Sequence, residues 1–179
     1  NSTAMLYYSD MLDEGLGVMK NSEEALRYLK MSVEKGNVSA IYNLACMFEQ
    51  GHGTSINIDE AEKYYKMSAD LGHVKAMCNY ATIMKSKPGN EEKKKALIYM
   101  KKAADHDDGL AMMNYGIMLN EGIGIEMNKS EASKYFKKAA DRGVVEGMYN
   151  YAICCAQGIV IEKNIKEAMK YFKMCANKG

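Results

Sequence analysis

The chain has 179 residues, 47% of them apolar and 26% charged, with one proline and no tryptophan. Its 24 basic and 23 acidic residues leave a net charge of +1, so bulk electrostatics point neither to nucleic acid nor to an anionic membrane. This composition excludes collagenous, disordered and disulfide-dense classes, and no apolar run approaches the roughly 20 residues that span a bilayer. The opening Asn1-Ser2-Thr3-Ala4 has neither an initiator methionine nor a signal-peptide layout, and the chain is expected to be a piece of a longer one.

Self-similarity organises the chain. A degenerate first copy, Ala4-Met5-Leu6-Tyr7-Tyr8-Ser9, returns as Ala40-Ile41-Tyr42-Asn43-Leu44-Ala45 and then as Ala76-Met77-Cys78-Asn79-Tyr80-Ala81. It returns twice more, as Ala111-Met112-Met113-Asn114-Tyr115-Gly116 and Gly147-Met148-Tyr149-Asn150-Tyr151-Ala152, at offsets of 36, 36, 35 and 36. A second motif keeps that period: Ala25-x-x-Tyr28, Ala61-x-x-Tyr64, Ala96-x-x-Tyr99, Ala132-x-x-Tyr135 and Ala168-x-x-Tyr171. Two motifs with one period divide the chain into units 1–36, 37–72, 73–107, 108–143 and 144–179.

Each unit reads as two helices. In the first, small or apolar residues fall as in Ala40, Ile41, Leu44, Ala45 and Phe48, a stripe of roughly 140°. In the second they fall as in Ala132, Tyr135, Phe136, Ala139 and Ala140. Ala45, Ala81, Gly116, Ala139 and Ala140 let backbones approach closely while Tyr and Phe fill the space beside them. No stretch alternates with period two, so no strand is expected.

The first helices of units one, two and four end in Gly15-Leu16-Gly17, Gly51-His52-Gly53 and Gly122-Ile123-Gly124, where a left-handed residue stops a helix. The next helix opens with Asn and, three residues on, Glu: Asn21/Glu24, Asn57/Glu60, Asn128/Glu131 and Asn164/Glu167. This predicts a reciprocal capping box. Unit three departs, with Lys85-Ser86-Lys87-Pro88-Gly89-Asn90; a different connection is expected there, with Asn90 as substitute cap. Gly36, Gly72 and Gly143 close second helices, and Asp107 takes that place in unit three. A two-helix unit of this size cannot bury its own stripe, so the units stack. The expected fold is all-α, a right-handed superhelical α-solenoid of about ten helices.

Residues 40–72, Ala-x-Tyr-Asn-Leu-Ala…Phe-x-x-Gly-x-Gly…Asn-x-x-Glu-Ala-x-x-Tyr-Tyr-x-x-Ser-Ala-Asp-x-Gly, resemble the Sel-1-like repeat, a relative of the tetratricopeptide repeat. The resemblance covers all five units, and is weakest in the first helix of unit one and the loop of unit three. It implies a protein- or peptide-binding adaptor or scaffold, with no catalytic residue set belonging to the repeat. The alternative it implies is an accessory or oligomerising region of a larger protein with a separate catalytic domain, for example a kinase.

By the same resemblance, the first-helix face opposite the core lines a concave groove. It carries Asn43, Asn79, Asn114 and Asn150, one per repeat, with Tyr7 in the first copy. An amide both donates and accepts, so a column of four is suited to pairing with an extended peptide backbone; the alternative is that these amides bond the neighbouring helix and fix repeat geometry. Tyr42, Cys46, Cys78, Met113, Ile117, Tyr149 and Ile153 surround the column and supply apolar anchors if exposed. Lys75 is expected to point into the groove beside Asn79.

Charge by unit runs −2, −3, +4, 0 and +2, and the lysines of unit three read as a solvated face. Cys46, Cys78, Cys154, Cys155 and Cys175 form no C-x-x-C pair and read as small buried hydrophobes. A reducing, cytoplasmic setting is expected, with a lumenal or secreted origin left open by N-x-[ST] triplets at Asn1, Asn37 and Asn128. His52, His73 and His106 fall in loops or helix starts without a metal-ligand spacing. No catalysis, cofactor, metal, nucleic acid or membrane insertion is expected. Met169, Tyr171 and Phe172 leave the last helix without a polar outer face, which predicts missing repeats or self-association through the ends.

Overall fold

The computed structural model describes residues 1–158 and 163–178. Among them lie ten helices: α1 (Ser2–Glu14), α2 (Ser22–Glu34), α3 (Val38–Gln50), α4 (Ile58–Asp70), α5 (Val74–Ser86), α6 (Asn90–Asp105), α7 (Gly109–Glu121), α8 (Lys129–Asp141), α9 (Val145–Gln157) and α10 (Ile165–Ala176). They form five helix pairs in chain order, and no strand occurs among the described residues. The chain divides into two compact units, Asn1–Tyr80 and Ala81–Gly179. In the first, α1 packs on α2 and α3 on α4, with α2 against α3. In the second, α7 packs on α8 and α9 on α10, with α6 against α7 and α8 against α9.

The expected stripes are the buried ones. Ala40, Ile41, Leu44 and Ala45 on α3 are buried, as are Ala132, Tyr135, Phe136, Ala139 and Ala140 on α8. Each large apolar side chain so covered contributes about 1.5–3 kcal/mol. Small residues set how closely helices approach. A Cβ on Gly116 would come 2.7 Å from Cε1 of Phe136, and one on Gly147 would come 2.7 Å from Cβ of Ala139. Those two glycines therefore define one seam within the fourth repeat and one between the fourth and fifth. Tyrosines fill the space beside them, edge to face, in Tyr8–Tyr28, Tyr115–Tyr135 and Tyr151–Tyr171, with centroids 4.7, 4.6 and 4.9 Å apart. Tyr28, Tyr64 and Tyr99 remain half-buried, each under a cation from Arg27, Lys63 or Lys102. Tyr171, expected from the sequence on an outer face, is buried against Tyr151 instead.

Helix ends follow the glycines. Gly15, Gly51 and Gly122 stop α1, α3 and α7 at φ of 73, 76 and 71°, and Gly158 stops α9 likewise. At the ends of the second helices, Asp107 is the only non-glycine with positive φ among the described residues (68°), and its carboxylate makes a two-pronged ion pair with Arg142. The capping expectation holds in half. Asn21, Asn57, Asn128 and Asn164 each accept from the backbone N–H of the Glu three residues on, at 3.0–3.1 Å. The return bond is absent because the backbone N–H of each Asn already donates to the preceding helix, at Leu12, Phe48, Leu119 and Cys155. The freed glutamates pair with Arg27, Lys63 and Lys134 in the first three of these repeats.

In unit three the cap is Gly89, without a side-chain bond, and Asn90 is the first helical residue of the longer α6. Asn90 therefore does not cap. The first helices carry a cap column that periodicity alone did not expose: Asn1, Asn37, His73 and Asp108 accept from the N–H three residues on. All three N-x-[ST] asparagines are thus helix caps.

The second glycine of each G-x-G has its own reason. A Cβ on Gly53 would land on the carbonyl oxygen of Ser22, and one on Gly124 would come 2.5 Å from that of Lys93, each in the preceding repeat. Gly17 has nothing within 4 Å of that position. Gly17→Ala should therefore lose only the left-handed backbone penalty of about 1–2 kcal/mol, whereas Gly53→Ala should lose clearly more, measured by urea unfolding. Equal losses would show that packing against Ser22 does not dictate the glycine.

Candidate functional site

Residues of the expected binding face fall into two groups. In the first unit, Tyr42 and Asn43 lie on α3 and Lys75 and Asn79 on α5. Asn43 donates from Nδ2 to Oδ1 of Asp10 on α1 at 3.0 Å. Burial raises the Asp10 carboxyl above its ordinary range although the Asn43 bond opposes it. Asn79 hydrogen-bonds the hydroxyls of Tyr42 and Tyr65. Tyr65, wholly buried, also donates to Oε2 of Glu49 at 2.6 Å. Burial, with Cys46 alongside, pushes the Tyr42 hydroxyl up to about 12 and drives that of Tyr65 higher. Two of the four amides therefore bond the preceding repeat, the alternative the sequence left open for them. Lys75 is exposed.

Tyr42 also stacks on His73, with centroids 4.5 Å apart and planes at 20°. His73 accepts the N–H of Ala76 at Nδ1, which requires that nitrogen to be unprotonated. Burial first, and the charge of Lys75 second, lower the His73 pKa.

In the second unit the face is open. Met113 and Ile117 on α7 meet Tyr149 and Asn150 on α9 along an apolar groove of about 440 Å³, completed by Val145, Glu146 and Cys175. A neighbouring recess of about 350 Å³ shares Ile117 and Asn150 and extends past Ile153 to Glu121 and Lys129. Tyr149 is 52% exposed, its ring edge-on to Phe172 at 5.8 Å. Asn114, beside Met113, and Asn150 make no side-chain hydrogen bond among the described residues. Four of the groove residues are named from the sequence, and Val145, Glu146 and Cys175 are not; Cys175 belongs to the second helix of its repeat, which the first-helix pattern does not sample.

Elsewhere the chemistry is muted. Burial pushes both Cys154 and Cys155 thiols up, away from the reactive thiolate. Among the described residues, no three His, Cys, Asp or Glu side chains are placed to share a metal ion, and no helix is long and apolar enough to cross a membrane. The basic third unit pairs Lys94 with Glu91 and Lys101 with Asp105, both at 2.7 Å.

Five successive helix pairs, packed through apolar seams and punctuated by left-handed glycines, define a helical-repeat protein. The Sel1 repeat family matches residues 2–37, 38–73, 74–108, 109–144 and 145–179, and the chain belongs to it. A Sel1 repeat protein from Oxalobacter formigenes is similar over all of this chain and 74% of its own, at 29% identity and a TM-score of 0.92. A protective antigen of uropathogenic Escherichia coli strains, with an SLR fold, matches 98% of this chain at 28% identity and a TM-score of 0.88. This chain spans 38% of that protein's length. An immunity protein from Pseudomonas aeruginosa shares the fold, at 19% identity and a TM-score of 0.59 over 97% of this chain and 64% of that one. No curated protein sequence matches. Sel1 arrays are typically protein-interaction modules and usually non-enzymatic.

His73 makes the stability of the first unit sensitive to pH. Its folded pKa lies below the ordinary 6.5, so folding favours the neutral ring. The contribution is complete above that ordinary value and is lost as pH falls through the lower, folded one. Between pH 7.5 and 5.5 (values of about this range bracket the ordinary histidine pKa), thermal melts should show the wild type losing more stability than His73→Asn, which keeps a capping oxygen. Parallel curves would contradict this.

Proposed function

We propose that this array binds an extended segment of another protein along the α7–α9 face of its second unit. The observation that carries the reading is the convergence of Met113, Ile117, Tyr149 and Asn150 on one apolar groove. Tyr149 supplies a large, half-solvated anchor of the kind that dominates binding energies. Asn114 and Asn150 offer amide groups that match the donors and acceptors of a peptide backbone irrespective of its side chains. Asn43 and Asn79 contribute less, since each already serves a bond inside the first unit.

A displayed library of random peptides supplies the probe. Selected peptides are titrated against the chain by fluorescence anisotropy. Tyr149→Ala should weaken binding about 30-fold, the equivalent of about 2 kcal/mol, and Ile117→Lys should abolish it, both with unchanged circular dichroism. Asn43→Ala should leave affinity intact and lower stability by about 1 kcal/mol. Failure to enrich any peptide, or affinities indifferent to Tyr149 and Ile117, would overturn the reading.

A further inference from the structure

Both units build one recess in the same repeat register. In the first unit a cavity of about 110 Å³ between α1 and α3 is lined by Asp10, Asp13, Asn43, Cys46 and Gln50. Three repeats on, the residues at those positions are Ile117, Asn120, Asn150, Ile153 and Gln157, and they line the recess of about 350 Å³ between α7 and α9. Leu29 and Phe136, from the second helix of each pair, form the matching wall.

The first copy is closed by its own side chains. Asn43 donates to Asp10, Ser22 donates to Asp13 at 2.6 Å, and Nδ1 of His52 lies 3.1 Å from the same Asp13 carboxylate. In the second copy Ile117 takes the place of Asp10, Asn120 that of Asp13 and Lys129 that of Ser22. Asn120, Glu121, Lys129, Asn150 and Gln157 make no side-chain hydrogen bond or ion pair among the described residues. Polar partners that the first unit supplies internally are thus left for a ligand to supply in the second.

Spacing decides how a ligand reaches this recess. Tyr149 lines the apolar groove and Ile153 the recess, and four residues of helix separate them by about 6 Å along the axis of α9. Alternate side chains of an extended segment stand on one face about 6.6 Å apart. A segment running along α9 therefore meets the two cavities with side chains two residues apart. Its intervening main chain passes over Asn150, which lines both.

Charge decides the chemistry. Lys129 and Glu121, both exposed, bring one charge of each sign to the recess. A carboxamide accepts from the ammonium with its oxygen and donates to the carboxylate with its nitrogen. An acidic side chain there would face Glu121 and a basic one Lys129, each trading an attraction for a repulsion. The longer amide, glutamine, also lays its methylenes against Ile117, Ile153 and Phe136. We propose that the segment bound along the α7–α9 face carries a large apolar side chain in the groove and, two residues away, a glutamine in the recess. This rests on the function proposed above and adds to it the spacing and the chemistry of the ligand.

Selection by position tests it. Short peptides with leucine or phenylalanine at the centre and random residues elsewhere are selected on the whole chain and titrated by fluorescence anisotropy. Glutamine should dominate two residues to one side of the centre. Its replacement by alanine in a selected peptide should weaken binding about tenfold, the loss of hydrogen bonds to charged groups. Lys129→Glu should turn that position to lysine or arginine, and Glu121→Lys should turn it to aspartate or glutamate. Both variants should keep the fold, verified by circular dichroism, because a carboxylate at the first residue of α8 and an ammonium at the last of α7 suit the helix dipoles. No enriched peptide, or affinities indifferent to Tyr149→Ala, would overturn the groove reading and this inference with it. Tyr149-dependent peptides without glutamine at that spacing, or selections unchanged in both charge variants, would overturn this inference alone.

Discussion

The seam between a second helix and the next first helix is the contact on which the rest depends. A pair such as α7 with α8 presents Ala132, Tyr135, Phe136, Ala139 and Ala140 from one helix alone, more apolar surface than a single partner helix can cover. Stability comes from repetition of the seam, and the seam works only where backbones come close. Gly147 against Ala139 sets that distance. Tyrosines and methionines then fill the wedge-shaped space beside it, with Met118 and Met148 almost wholly buried. Methionine suits the task because its unbranched side chain adapts to irregular gaps.

Backbone hydrogen bonds hold the seam in register. The N–H of each capping asparagine in the second helices reaches back to a carbonyl near the end of the first helix. One residue thereby caps its own helix with its side chain and ties that helix to its predecessor with its main chain. Ser32 and Ser68 add a second tie, donating to carbonyls of Ser2 and Val38 at the start of the same repeat. In the second unit Asn114 and Asn150, on the outward face of the first helices, make no side-chain hydrogen bond among the described residues, and the groove lies there. In the first unit part of that face is spent on Asp10–Asn43 and on the Tyr42, Tyr65 and Asn79 cluster.

Much of this was legible in the residues. The repeat period, the helix pairs, the glycine stops and the buried stripes follow from spacing, because spacing decides which side chains share a helix face. Part of the candidate groove was legible too, since Met113, Ile117, Tyr149 and Asn150, placed on one face by their spacing, line one groove. What spacing does not carry is which partner satisfies a polar group. Asn43 looks identical to Asn150 in sequence, and differs because Asp10 stands across from it, a place that Ile117 takes in the register of Asn150. His73, placed by spacing in a loop or at a helix start, is a helix cap, as its alignment with Asn1, Asn37 and Asp108 shows once caps are compared across repeats. The capping box failed in half for the same reason: the Asn N–H found a tertiary acceptor that no local pattern records.

Native-state hydrogen exchange tests most directly whether the seams, rather than the individual helices, carry stability. At a concentration where the chain is monomeric, the amides of α8, covered on both sides, should exchange through the largest opening free energy of the second unit. Those of α10, with the same capping and the higher apolar content at Ile165 and Met169, should exchange at least tenfold faster because it packs on α9 alone, whereas α8 packs on both α7 and α9. Equal protection of α8 and α10 would mean that each helix pair is stable by itself, and the account would fail.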